Sequence, residues 1–158
     1  VSLEIRPVPL DHPDAQALVA RALAFYSELY GGEGDSDPMD AGEFAAPAGA
    51  FYVGYLDGVP VVTGGWRRID LTRLGTSATA EIKRMYVADA ARGLGLAREM
   101  LAHLEATARA AGIGALVLST GAPQVAAVNL YASSGYALIE PFGYYAAYPT
   151  VRCFGKRL

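Results

Sequence analysis

The run Arg92-Gly93-Leu94-Gly95-Leu96-Ala97 is the part of this 158-residue chain best suited to holding a phosphate. Gly93 and Gly95 permit positive φ and lack the Cβ that would keep a phosphate at a distance. Ala97 is small, so the turn that follows can sit close to a ligand. Arg92 and Arg98 add positive charge. The run opens a helix, and the first N–H groups of a helix have no internal partner while its dipole favours anions. No Gly-Lys-Ser/Thr follows, and the third glycine of a dinucleotide fingerprint is missing, so neither nucleotide loop is present. Two glycines at a helix start are weak evidence alone. A phosphate-bearing cofactor and a plain helix start both remain open on these six residues.

Two further motifs narrow the choice. Arg92, Gly95 and Ala97 follow the spacing Arg-x-x-Gly-x-Ala. The preceding segment, Ala80-Glu81-Ile82-Lys83-Arg84-Met85-Tyr86-Val87, reads as a strand. Downstream lies Leu130-Tyr131-Ala132-Ser133-Ser134-Gly135-Tyr136. The first motif resembles the cofactor signature of the GNAT superfamily of N-acetyltransferases, Gln/Arg-x-x-Gly-x-Gly/Ala. The segment before it resembles that family's fourth strand, and the third resembles its Leu-Tyr-x-x-x-Gly-Phe/Tyr segment. The three occur in the family's order and cover the C-terminal half; the N-terminal third matches only in pattern.

The resemblance implies an α/β (α+β) fold in a single domain over residues 1–158. Its sheet is mixed and mostly antiparallel, of about seven strands, with a splayed parallel fourth and fifth pair and about four flanking helices. It implies acetyl-CoA as co-substrate, without a metal, and transfer of the acetyl group to a primary amine of a small molecule or peptide by direct attack in a ternary complex. The alternative is a catalytically silent acyl-CoA sensor on the same fold. The pantetheine arm would pair with main-chain groups of Met85, Tyr86 and Val87, and the pyrophosphate would rest on the amides of Arg92, Gly93, Leu94, Gly95, Leu96 and Ala97. The Met85 N–H would stabilise the oxyanion.

Tyr131 is the implied general acid, and it would also touch the cofactor at its sulfur. A phenol of pKa ~10 can share a proton with a thiolate. Packing with a satisfied hydroxyl is the plainer role, and ten tyrosines make one tyrosine uninformative outside its motif. Glu81 is the candidate base. Otherwise it pairs with Lys83, Arg84 or another strand's arginine, and the acceptor ammonium deprotonates through water. The family often places Asn seven residues before the tyrosine, on the cofactor arm. Gln124 stands there in this chain and Asn129 lies nearer, so both are candidates for that contact. Phe142, Tyr144, Tyr145 and Tyr148 could wall an acceptor pocket, pack the core or form a dimer contact. A homodimer is left open.

The elements that must position these residues follow from pattern. Leu3–Val8 alternates as a first strand. Asp11 and Asp14 flank Pro13 at a helix start, and Ala17, Leu18, Ala22, Phe25 and Leu29 recur at helical steps up to Gly31-Gly32. Glu33–Ala48 is irregular and carries Glu33, Asp35, Asp37, Asp40 and Glu43. It reads as a solvated loop with one short helical turn, or as an acidic rim for a cationic amine. Asp57-Gly58 between apolar runs marks a type I′ hairpin. Gly64-Gly65 inside the next strand marks a bulge or close approach, and Trp66 a core or pocket-wall position. Leu94, Ala97, Leu101, Leu104 and Ala108 line the next helix, with His103 off the stripe and facing solvent. Gly114–Thr120 is a continuous apolar strand, buried on both faces. Gln124–Ser133 is a short helix, and Tyr136–Ile139 and Val151–Lys156 are closing strands.

Composition sets the outer limits. Thirteen basic residues against sixteen acidic ones give no basic block and no expectation of nucleic acid. No apolar run reaches ~18 residues, so no membrane span is expected. The start, VSLEIRPV, lacks a signal-peptide layout, and a cytoplasmic protein is expected. One cysteine, Cys153, excludes an internal disulfide and reads as a small packed residue. His12 and His103 have no ligand partner at useful spacing, so no metal site is expected.

Overall fold

The structure, a computed structural model, describes residues 2–32 and 34–158. Its elements are β1 (Glu4–Pro7), α1 (Pro13–Tyr30), β2 (Gly49–Leu56), β3 (Val59–Ile69), β4 (Thr79–Val87), α2 (Leu96–Ala110), β5 (Ala115–Gly121), α3 (Val125–Ser133), β6 (Ala137–Leu138) and β7 (Val151–Arg157). Three α-helices and two 3-10 turns, Ala41–Phe44 and Asp89–Ala91, stand where about four helices were expected. One seven-stranded sheet runs β1-β2-β3-β4-β5-β7-β6. Every neighbouring pair is antiparallel except β4 with β5.

The β2–β3 hairpin turns on Asp57 and Gly58, with φ of 49° and 77°. Two positive φ angles are what a type I′ turn demands, and its twist matches that of the flanking strands. Successive strand residues point to opposite faces, so β2 sends Tyr52 to one core and Phe51 and Val53 to the other. On the first face lie Leu96, Met100, Leu101, Leu104 and Ala108 of α2, with Trp66, Ile82, Leu116 and Leu118 of the sheet. On the second lie Ala15, Leu18, Val19 and Ala22 of α1, with Phe44 and Tyr55. Each fully buried leucine contributes about 2 kcal/mol of hydrophobic stabilisation. Trp66 is 3% exposed, and its indole N–H donates to Thr107 Oγ1 at 3.1 Å, fixing β3 to α2.

Several helical expectations shift by a residue or two. The buried stripe of α1 is Ala15, Leu18, Val19 and Ala22, while Ala17, Phe25 and Leu29 are exposed. The helix starts at Pro13 as expected, but His12, not an aspartate, caps it: its Nδ1 accepts from the Asp14 N–H at 3.0 Å. In α2 the stripe begins at Leu96, and Leu94 is exposed in the loop before it. His103 is half-buried rather than solvent-facing, set edge-on to Tyr52 at 4.5 Å.

Two local features shape the site. The β4–β5 pairing covers only Thr79 with Ala115, Ala80 with Leu116 and Glu81 with Val117, after which the strands part. Opposite Gly64, β4 carries the extra residue of a bulge, since Thr63 pairs with Tyr86 but Gly65 pairs with Lys83. Arg84 sits in the bulge at φ 59°. Gly64 leaves room there for Met85 and Met100, since a Cβ would lie 2.8 Å from Met85 Sδ and 3.0 Å from Met100 Cγ.

Candidate active site

The parted strands open a cleft of about 490 Å³. Ile82–Met85 form its β4 wall and Leu118–Gly121 its β5 wall. The Ala88 N–H donates to Val61 O at 2.8 Å, so Ala88 faces β3. Main-chain direction alternates along a strand, so Met85 and Val87 turn their amide and carbonyl groups away from β3, towards the opening, and Tyr86 turns towards β3. The Val87 carbonyl accepts from Arg92 Nε at 3.3 Å. Tyr86 is buried in the α1-side core, whereas Met85 and Val87 pack towards α2. Of the three β4 residues expected to meet a cofactor arm, Met85 lines the cleft, Val87 follows it with its carbonyl on Arg92, and Tyr86 is buried on the α1 side.

The loop from Arg92 to Ala97 leads into α2 with a row of unused donors. Gly93 and Gly95 have φ of 81° and 79°. A Cβ on either would meet nothing within 4 Å, so the backbone turn, not crowding, selects glycine. Gly95 caps α2 in the left-handed conformation and offers no side chain to the first turn. Among the described residues, no main-chain N–H from Gly93 to Arg98 has a hydrogen-bond acceptor. Arg92, Gly93, Leu94 and Gly95 are exposed, Ala97 is half-buried and Leu96 anchors the helix in the core. Arg92 stacks over Phe25 and Tyr86 at 5.5 and 5.8 Å and pairs with Asp89 at 3.1 Å. Arg98 reaches Ser133 and Ser134, holding α2 to the end of α3. Unsatisfied amides converging at a helix N-terminus beside arginine form a ready anion site.

Tyr131 projects from α3 into the cleft and is 5% exposed. Its ring is set by Tyr136 and Phe154. Burial, with a smaller push from Tyr26, raises its phenol well above the ordinary value. It therefore stays protonated and available as a donor. Tyr26 of α1 lines the same cleft, and burial pushes its phenol up to about 12. Gln124 lines the cleft at the N-cap of α3 and donates from Nε2 to the Tyr30 hydroxyl at 2.9 Å. Asn129 is exposed and lies outside the cleft lining, because α3 turns that position outward.

The acidic stretch contains the short helical turn that one reading expected, at Ala41–Phe44, and Asp40 is exposed, but three other acids do not form a free rim. Asp35, Asp37 and Glu43 fold back onto three sheet cations, while Glu33 falls outside the described residues. Arg67 Nη2 meets Asp37 and Glu81 at 2.9 and 3.0 Å, and its Nη1 meets Glu43 at 3.2 Å. Lys83 bonds Asp35 and Asp37, both at 3.0 Å. The bulge turns Arg84 onto the face that Lys83 occupies, so both reach Asp35. Tyr145 donates its hydroxyl to Asp35 and accepts from the Ser36 N–H at 2.8 Å. Burial alone would raise the Asp35 carboxyl, but Lys83, the Tyr145 hydrogen bond and Arg84 together hold it well below the usual range. These acids are neutralised within the protein, which leaves Asp35 and Asp37 poorly suited to attracting a cationic substrate.

Glu81 belongs to that lattice. Its Oε1 accepts from Arg67 Nε and Nη2 at 3.1 and 3.0 Å, across the Arg67–Glu81 register pair. Burial raises its carboxyl above the ordinary value, against the pull of Lys83 and Arg67. It lines a neighbouring cleft of about 340 Å³ with Phe142 and Tyr144, not the cleft that holds Tyr131. Tyr145 and Tyr148 line the larger cleft, and Phe142 packs with Val117 and Cys153. Among the described residues, no His, Cys, Asp or Glu cluster could hold a metal, and no helix is long and apolar enough to cross a membrane.

The sequence motifs missed Lys83, Arg84, Asp35, Tyr26 and Tyr30 as neighbours of the larger cleft, and Arg67 as a neighbour of the smaller. The Gly64-Gly65 pair carried a usable signal, since a bulge opposite it sets two consecutive β4 side chains on one face.

The comparisons with known proteins agree with this geometry. The family model described as "Acetyltransferase (GNAT) family" matches residues 16–136. An IAA acetyltransferase of Azospirillum brasilense is 35% identical over 144 residues, covering 91% of this chain and 90% of that protein. A GNAT-family acetyltransferase from Staphylococcus aureus superposes with a TM-score of 0.78 at 18% identity, covering 99% of both chains. The PaiA N-acetyltransferase of Thermoplasma acidophilum, solved in complex with coenzyme A, superposes with a TM-score of 0.70 at 14% identity and covers both chains completely. These last two likenesses are of fold. With the splayed strands, the free amides and the match over most of its length, the chain belongs to the acetyltransferase (GNAT) family.

Proposed function

We propose that this protein is an acetyl-CoA-dependent N-acetyltransferase acting on a primary amine of a small molecule or peptide. The observation that carries this reading is the row of unpartnered main-chain amides from Gly93 to Arg98, which follows the C-terminal end of β4, the strand that walls the cleft. They fit a diphosphate, and the cleft fits an extended arm paired with Met85 and Val87. Arg92 would leave the Val87 carbonyl to the arm and turn to the phosphates. Gln124 takes the arm contact often made by asparagine in the family; Asn129 is set aside by its exposure.

The chemistry then divides among few groups. The amine nitrogen attacks the thioester carbonyl carbon, and the Met85 N–H faces the oxygen as it gains charge. The C–S bond breaks, and the Tyr131 hydroxyl gives its proton to the departing sulfur. The proton shed by the ammonium leaves through water and restores the phenol. Glu81 acts as part of the charge lattice that shapes the site, because Arg67 holds its Oε1.

Two measurements test the proposal. Calorimetry of the purified protein with coenzyme A and acetyl-CoA should show one site per chain. Thiol release from acetyl-CoA, screened across an amine panel, should find an acceptor. Association with coenzyme A and no amine-dependent release across the panel would favour the silent sensor; no association would remove the proposal altogether.

A further inference from the structure

The last turn of α1 does something that the motifs do not ask of it. Phe25 lies under Arg92, Tyr26 lines the cleft across from Tyr131, and Tyr30 reaches the far strand. Helix α1 thus crosses the gap from the β4 side to the β5 side. Tyr30 completes the crossing. Its hydroxyl accepts from Gln124 Nε2 at 2.9 Å and lies so close to β5 that a Cβ on Gly121 would meet it at 2.0 Å. The same would-be Cβ would lie 2.7 Å from Tyr30 Cζ. Gly121 has no positive φ to explain it. The glycine leaves room for the phenol, and Gln124 holds the phenol there.

The placement of Tyr131 suggests the direction of the wall: it lines the cleft from α3, and Tyr26 and Tyr30 line it from α1. An acyl group that continued away from a sulfur at Tyr131 across the cleft would meet Tyr26 and Tyr30. Resting on the proposed use of an acyl-CoA, we propose that Tyr30, seated against Gly121 and pinned by Gln124, is a specificity-determining wall that limits the donor to short acyl chains. The limit is steric. Tyr30 is 41% exposed, but its hydroxyl end is held, and displacing it breaks the Gln124 hydrogen bond and the close seat on Gly121.

The test compares the full-length protein with Tyr30→Ala and Gly121→Ala, titrating coenzyme A, acetyl-CoA, butanoyl-CoA and octanoyl-CoA by calorimetry. Coenzyme A is the internal reference, so any general change in affinity cancels. In the wild type, the octanoyl form should bind at least tenfold more weakly than the acetyl form. In Tyr30→Ala that gap should close to within about threefold. Gly121→Ala, whose new methyl collides with the Tyr30 hydroxyl, should close part of the gap with the tyrosine still present. An unchanged octanoyl-to-acetyl ratio in both variants, with coenzyme A still bound, overturns the wall while leaving the acetyltransferase reading intact. No association of the wild type with any of the four overturns both. Once an acceptor is in hand, a change in amine size preference with a constant acyl preference also overturns the assignment, since the wall would then belong to the acceptor.

Discussion

Tyr131 and Glu81 look alike in the sequence as candidates for proton transfer, but their surroundings set them different tasks. Tyr131 is buried and lines the cleft, and its raised pKa keeps it protonated through the neutral range. Tyr131→Phe should retain coenzyme A binding within threefold and lose about 10²-fold in turnover, the usual size of a single acid–base contribution. Unchanged thiol release with a good amine acceptor would exclude the acid role. Glu81 is held by Arg67. Glu81→Ala leaves that guanidinium short of one partner in a buried lattice and should cost about 3 kcal/mol of stability, measured by urea unfolding. Rescue of stability by Glu81→Gln with activity retained would place Glu81 among the positioning groups; loss of turnover in a stably folded Glu81→Gln protein would return it to the chemistry. Sequence alone could not separate these residues. The Tyr131 motif carries its own spacing, but Glu81 owes its partner to a register across β3 that no local pattern displays.

At the scale of elements, the loop before α2 and the stretch after α1 answer to different forces. Gly95 turns the chain with positive φ in open surroundings. Gly95→Val should strain that turn by about 1–2 kcal/mol and shield the amides beyond it. Calorimetry should show at least a tenfold loss of coenzyme A affinity with secondary structure unchanged. The acidic stretch is held by Lys83, Arg84 and Arg67, and Asp35 has the clearest titration signature. Its folded pKa lies below its unfolded value of ~3.9, so its ionisation stabilises the fold above that pH and the benefit fades as pH falls towards the folded value. Asp35→Asn should therefore lower Tm by about 5 °C at pH 7, and the difference from wild type should shrink below pH ~4. A constant difference down to acid pH would mean the loss is steric. The hairpin, the glycine loop and the β5 run were legible because each is a local signal, whether a turn dipeptide, a permissive residue or an unbroken apolar stretch. The fate of the acids was not. Composition shows that Asp35 and Asp37 are charged, but only the bulge at Arg84 puts two cations on one face to receive them.

Considered as a whole, the molecule is two half-sheets that share one seam. The order of strands and helices was readable from periodicity, and the parallel crossover followed from the helix between β4 and β5. The helix faces were less readable, because apolar residues recur on more than one face of α1 and the sheet buries Ala15, Leu18, Val19 and Ala22, leaving Phe25 and Leu29 outside. If acetyl-CoA binds the folded chain alone, a hundredfold excess over its dissociation constant adds about 2.7 kcal/mol of apparent stability. Thermal unfolding should then shift upward by roughly 8 °C, a change that free adenosine should not reproduce. The seam itself is short: Thr79, Ala80 and Glu81 of β4 against three residues of β5. A bound arm would act as a splint along the remaining gap, bridging strands that otherwise touch only at one end. Backbone amides of Met85, Val87 and the last residues of β5 should then become slow to trade their hydrogens for deuterium together, while those of the β2–β3 hairpin keep their pace.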